Sequence, residues 1–127
     1  MVEKKLSGLL YRRFVAASIH SWRGLVDSAN YEEAFRCQLF LSLFLVPLAF
    51  LIAVDPVQLI LLIGSVLLVM IVELLNTGIE LVIDRIGLEF HDLSGRAKDV
   101  GSAAVLLSML IFLLTWITIA LSNYGLL

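Results

Sequence analysis

Four polar side chains recur on one face of an otherwise apolar run: Glu73, Asn76, Glu80 and Asp84. At roughly 100° per residue they fall at about 0°, 300°, 340° and 20°, a strip about 80° wide on a helix. An ionisable side chain inside a membrane helix costs about 2.5–3.5 kcal/mol even on the lenient insertion scale. The strip therefore predicts a compensating cation, a basic partner or water. Carboxylate oxygens with one amide are hard ligands that suit Mg²⁺, which takes few carboxylates and completes its shell with water and phosphate oxygens. A metal–nucleotide complex is a natural counter-charge. Asp84, nearest the helix end, has Arg85, Arg96 and Lys98 as alternative partners, whereas Glu73 lies deepest in the apolar run.

Other groups can extend that chemistry. Glu32 and Glu33, just before the first long apolar run, would add a carboxylate from another helix or stay as solvated interfacial charges. Lys98 and Asp99 fall near the expected start of the third apolar helix, where free backbone N–H groups and the helix dipole favour a phosphate. The alternative for Lys98 is an ordinary topology-setting charge, and His91 by itself reads as a loop histidine. The chain contains no G-x-x-x-x-G-K-[ST] and no G-x-G-x-x-G, so a bound nucleotide is not held by a P-loop or a protein-kinase glycine loop. Nor does it contain a CxxC, HExxH or G-x-S-x-G pattern for zinc or serine hydrolysis. Its single cysteine, Cys37, rules out an intrachain disulfide and reads as a small core hydrophobe.

These residues must be carried by membrane helices. Of 127 residues 61% are hydrophobic, and the mean hydropathy is +1.01, beyond what a water-soluble domain of this size carries. Spanning a bilayer takes about 20 apolar residues, and spans are expected over about 34–54, 57–86 and 95–121, within a single domain of residues 1–127. The second outruns a hydrocarbon core of about 30 Å, so its last turns, bearing the polar strip, are expected to emerge at an interface. Residues of about 6–30 mix an apolar face of Leu6, Leu9, Leu10, Phe14 and Ala17 with Arg12, Arg13 and Arg23, an amphipathic surface helix. Ser28, Ala29 and Asn30 are expected to turn the chain into the first span. Pro47 sits inside that span, Asp55-Pro56 makes a tight turn, and Ser94 is the expected cap of the third helix.

All nine basic residues fall in two blocks, one ending with Arg36 at the start of the first span and one from Arg85 to Lys98 around the loop between the second and third. The positive-inside rule then places the N-terminus and second loop in the cytoplasm and the C-terminus in the periplasm. The first apolar run lies too deep in the chain to be a signal-peptide core. A net charge of −2 with no basic patch gives no reason to expect a nucleic-acid partner.

At these residues the chain resembles the bacterial membrane diacylglycerol kinase family. The runs that carry the resemblance are Val72-Glu73-Leu74-Leu75-Asn76-Thr77-Gly78-Ile79-Glu80, Asp84-Arg85-Ile86-Gly87 and His91-Asp92-Leu93-Ser94-Gly95-Arg96-Ala97-Lys98-Asp99-Val100-Gly101-Ser102-Ala103-Ala104-Val105. Trp22-Arg23-Gly24-Leu25 and Glu32-Glu33-Ala34-Phe35-Arg36 match upstream. The resemblance implies an all-α membrane protein of three transmembrane helices and a surface helix, forming a domain-swapped homotrimer in the bacterial inner membrane. It implies ATP-dependent phosphorylation of the diacylglycerol hydroxyl to phosphatidate, in lipid recycling, with Mg²⁺. By residue, it implies Glu73 as general base, Glu32 and Glu80 as metal and nucleotide carboxylates, and Asn76 as the polar group beside them. Lys98 and Asp99 become nucleotide contacts. Arg13 falls at the nucleotide and lipid site, and Glu89, Phe90 and His91 in a loop over the nucleotide. His20, also aligned with the nucleotide site, and Phe90 stand where tyrosines are expected, Ala16 where a lysine is, and Gln38 where an acid is.

Two rival readings make different demands. Undecaprenol kinase, a relative sharing the Glu–Asn–Glu helix, would phosphorylate a polyprenol, but the Leu93–Asp99 run resembles the diacylglycerol branch more closely. A small proton-coupled transporter would need acids near the midplane with a path to both faces. Here the deep acids sit toward one side, and no acid or base lies between Arg36 and Asp55 or after Asp99. A regulatory subunit without chemistry would tolerate alanine at Glu73 and Glu80.

Overall fold

A computed structural model describes residues 2–126, with side chains from Gly8 onward; those of Lys4, Lys5 and Leu6 lie outside the described residues. The described chain is all helix: α1 (Val2–Tyr31), α2 (Glu33–Ile52), α3 (Pro56–Ile86) and α4 (Asp92–Asn123). The last three are long and apolar enough to cross a membrane.

The joint between α1 and α2 lies later than the expected turn at Ser28–Asn30. Helix runs through those residues, and a single residue, Glu32, leaves it at φ −106° and ψ 113°. Backbone pairing hardly lapses there, because Glu32 N donates to Ser28 O at 2.9 Å and Arg36 N to Glu32 O at 3.1 Å. The Arg36 guanidinium then donates to the carbonyls of Ala29 (3.4 Å) and Asn30 (3.1 Å). It satisfies acceptors that a helix end otherwise leaves bare.

At the opposite end of the spans Asp55 caps α3, accepting from Gln58 N at 2.9 Å, with Pro56 at the first helical position where its missing N–H costs nothing. Gln58 and Asn123 exchange amide hydrogen bonds (3.1 and 2.9 Å), and Asn123 Nδ2 also donates to Ile52 O at 2.8 Å. These uncharged groups fasten the ends of α2, α3 and α4 together. Beside them Ala49, Leu62 and Ile119 form the buried apolar cluster, flanked by Ile63 and Trp116.

Helix α3 is central, packing against both α2 and α4. Its buried residues, Leu62, Ser65, Val66, Val69, Glu73, Thr77 and Ile83, make one stripe at helical spacing. In lipid, burial of apolar groups drives helix association weakly, and close packing of small residues takes over. Ala49, Ser65, Thr77, Gly101 and Ser108 occupy such buried positions. The Ser65 and Ser108 hydroxyls are satisfied by carbonyls on their own helices, Leu62 O and Val105 O. Most apolar side chains of the spans nevertheless point outward, and the side chains of α1 from Gly8 to Asp27 are all exposed.

Candidate active site

The polar strip continues the packing stripe of α3 and emerges gradually from it. Glu73 is buried at 7% exposure, Asn76 and Glu80 are half-buried, and Asp84 is exposed. The strip resolves into three separate pairings.

Deepest, Glu73 Oε2 accepts from Gln38 Nε2 of α2 at 3.2 Å. Gln38 also lines an apolar groove with Leu41, Leu45, Val66, Val69 and Met70 between the spans. One turn on, Asn76 Nδ2 donates to Glu80 Oε1 at 3.2 Å, engaging one carboxylate oxygen. The other end of this amide, Oδ1, is buried without a partner, in the notch left by Gly101 of α4. A Cβ on residue 101 would overlap Asn76 Oδ1 and come within 3.3 Å of its Cγ. Gly101→Ala should therefore swing the carboxamide off Glu80 and cost about 1–3 kcal/mol of overpacking strain. Thermal unfolding in detergent micelles should show the lower midpoint; an unchanged midpoint would mean that Asn76 repacks freely.

At the rim, Lys98 Nζ pairs with Asp84 Oδ1 at 2.6 Å, with side-chain exposures of 41% and 47%. An open cleft between the end of α3 and the start of α4 gathers Asp84, Glu89, Phe90, His91 and Lys98. Its loop is shaped by Gly87, which closes α3, and by His91, whose Nδ1 accepts from Leu93 N at 3.2 Å. His91, rather than Ser94, is thus the cap of α4, because the helix begins two residues before Ser94. The early start also moves Lys98 six residues into α4, clear of the free N–H groups expected to help it hold a phosphate. Glu32 stands in the α1–α2 joint, and Asp99 is exposed on α4. Arg13 and His20 are not brought to the strip: both are exposed on α1, which packs on α2. Among the described residues, no three His, Cys, Asp or Glu side chains converge as a metal site within one chain.

Comparison with known proteins identifies the family. The profile of the prokaryotic diacylglycerol kinases matches residues 19–120, from α1 through nearly all of α4. The chain belongs to the prokaryotic diacylglycerol kinase family. It is 47% identical over 115 residues to a diacylglycerol kinase of Escherichia coli (strain K12), covering 91% of this chain and 94% of that protein. The diacylglycerol kinase of Haemophilus influenzae is 45% identical over 112 residues, 88% of this chain and 93% of its own. That of Pseudomonas aeruginosa is 42% identical over 110 residues, 87% and 89%. The chain is accordingly a lipid kinase, and a diacylglycerol kinase requires a nucleotide co-substrate. The residue that reading the sequence for this family left without a role is Gln38. It registered only as a departure from an expected acid, and its reach to Glu73 crosses 35 positions of sequence.

Proposed function

We propose that the protein transfers the γ-phosphoryl group of ATP to the primary hydroxyl of diacylglycerol, giving phosphatidate and ADP, at the cytoplasmic face of the bacterial inner membrane. The observation that carries this reading is the gradient along α3, from a buried carboxylate at Glu73 to an exposed Asp84–Lys98 pair beside an open cleft. A lipid alcohol reaches the buried end from within the bilayer while a nucleotide reaches the open end from water.

Phosphoryl transfer needs mostly positioning and charge neutralisation. Glu73 accepts the proton of the lipid hydroxyl as its oxygen attacks the γ-phosphorus, and ADP leaves in line. The groove beside Gln38 takes an acyl chain. Asn76 orients Glu80 through Oε1, and the remaining Glu80 oxygen, with Glu32, would supply hard-oxygen ligands to a small divalent cation that keeps water and phosphate as its other ligands. Bound Mg²⁺ would neutralise charge on the β- and γ-phosphates. An exposed ion pair such as Lys98–Asp84 contributes only about 0–1 kcal/mol, so Lys98 exchanges Asp84 for a phosphate at little cost. Glu89, Phe90, His91 and Asp99 border the nucleotide. Arg13 and His20 reach it from the surface helix of another copy in a domain-swapped homotrimer, for which the outward apolar faces of α2–α4 provide contact area. The N-terminus and the α3–α4 loop are cytoplasmic and the C-terminus periplasmic. The product serves lipid recycling.

The test is ATP- and Mg²⁺-dependent phosphorylation of diacylglycerol and, in parallel, undecaprenol by purified protein in mixed micelles. Preferential phosphatidate formation is expected; preference for undecaprenol would overturn the substrate, and transfer to neither lipid by folded protein would overturn the kinase mechanism.

A further inference from the structure

Glu73 is the deepest carboxylate of the strip, and what surrounds it is unusually neutral. Across the interface α2 carries no acid or base between Arg36 and Asp55 apart from the exposed thiol of Cys37. Helix α4 carries no ionisable side chain after Asp99. On α3 itself the nearest acid is Glu80, two turns along and held by Asn76. The polar group that meets Glu73 is the Gln38 carboxamide, 3.2 Å from Oε2. Its own Oε1 is buried without a hydrogen-bond partner.

We infer that Gln38 is a positioning residue for the transfer: its amide N–H holds one Glu73 oxygen and so leaves the other presented to the lipid hydroxyl. This rests on Glu73 being the base. The chemistry of the amide suits the task for three reasons. It donates at every pH, so the hold on Oε2 does not depend on a proton being present. It is neutral, so Glu73 has no second carboxylate with which to share a proton, as two facing acids must. Once Glu73 has taken the hydroxyl proton on its other oxygen, Oε2 is the carbonyl oxygen of the neutral acid and still accepts from the amide N–H, so one donor serves both protonation states. An acid at this position would serve them only by titrating with Glu73.

The experiment compares Gln38→Met, which keeps length and removes the donor, with Gln38→Glu, which keeps shape and adds a second acid. Both are assayed across pH in mixed micelles, with kcat and KM determined separately. Losing a hydrogen bond to a charged group predicts that Gln38→Met lowers kcat about 10- to 100-fold, with KM for ATP and lipid nearly unchanged. For Gln38→Glu the acidic limb of the rate profile should move upward by about one pH unit or more. A side chain that merely fills space would leave the kcat of the methionine variant and the pH limb of the glutamate variant unmoved, and that result overturns the inference. Infrared difference titration of the Glu73 carboxyl, identified by its absence in Glu73→Gln, reads the pair without turnover. A carboxyl band insensitive to both Gln38 substitutions also overturns it. If the band responds but Glu73→Gln keeps full activity, the hydrogen bond stands, and both the base assignment and the positioning role fall.

Discussion

Replacing Glu73 by glutamine should leave a folded protein that phosphorylates diacylglycerol about 10²- to 10⁴-fold more slowly, the usual contribution of a positioned general base. The substitution is nearly isosteric, and a carboxamide at residue 73 still pairs with the carboxamide of Gln38 across the α2–α3 interface, so the packing that buries this position at 7% exposure is kept. What is lost is the ability to take a proton. The fall should therefore appear in kcat, with little change in the KM for ATP, because the cleft at Asp84, His91 and Lys98, where we propose the nucleotide binds, lies more than two turns away along α3. Initial rates in mixed micelles, with a thermal midpoint on the same preparation, make the measurement. Activity within a few-fold of the parent would remove Glu73 from the chemistry.

Glu80→Ala should be comparably severe for a different reason. It deletes a proposed metal carboxylate and strips Asn76 Nδ2 of its acceptor, leaving a half-buried amide with neither end satisfied. The expected loss is about 10²- to 10³-fold, the size seen on removing one preorganised electrostatic contact from an active site. Unlike the loss at Glu73, it should depend on metal: the Mg²⁺ concentration giving half-maximal rate should rise, and excess Mg²⁺ should recover part of the activity. A rate that falls without any change in Mg²⁺ dependence would place Glu80 outside the metal's reach.

The placement of these groups was legible to different degrees, and the differences have physical causes. The strip on α3 could be read because helical periodicity alone puts residues 73, 76, 80 and 84 on one face, and the stripe of small and apolar packing residues runs into it. That Asp84 has a basic partner was also among the alternatives open in the sequence, and Lys98 takes that place. The division of the strip into three pairings was hidden, since which groups meet depends on how α2 and α4 are rotated against α3. Gln38 and Gly101 illustrate this: one supplies a donor, the other an absent side chain, and neither function has a local signature. Helix ends misled for a related reason. Ser94 and the Ser28–Asn30 stretch have the composition of a cap and a turn, but His91 caps α4 ahead of Ser94 and α1 runs on through Ser28–Asn30, the carbonyls of Ala29 and Asn30 being met by Arg36.

The Glu32 joint has a mechanical consequence. Helix α1 has 30 residues, about 45 Å of rigid rod at 1.5 Å per residue, and it meets α2 through one residue whose flanking hydrogen bonds are intact and whose end carbonyls are clamped by Arg36. There is no slack in such a coupling. With α1 on the bilayer surface, as proposed, the angle of the rod is set by two backbone torsions of Glu32, the residue that carries a proposed metal carboxylate. A change in headgroup packing or bilayer thickness that tips the rod must either rotate α2 with it or strain Glu32. On the proposed placement of α1 and role of Glu32, the membrane is geared to the site, and lipid composition should act on it as a torque as well as a supply of substrate.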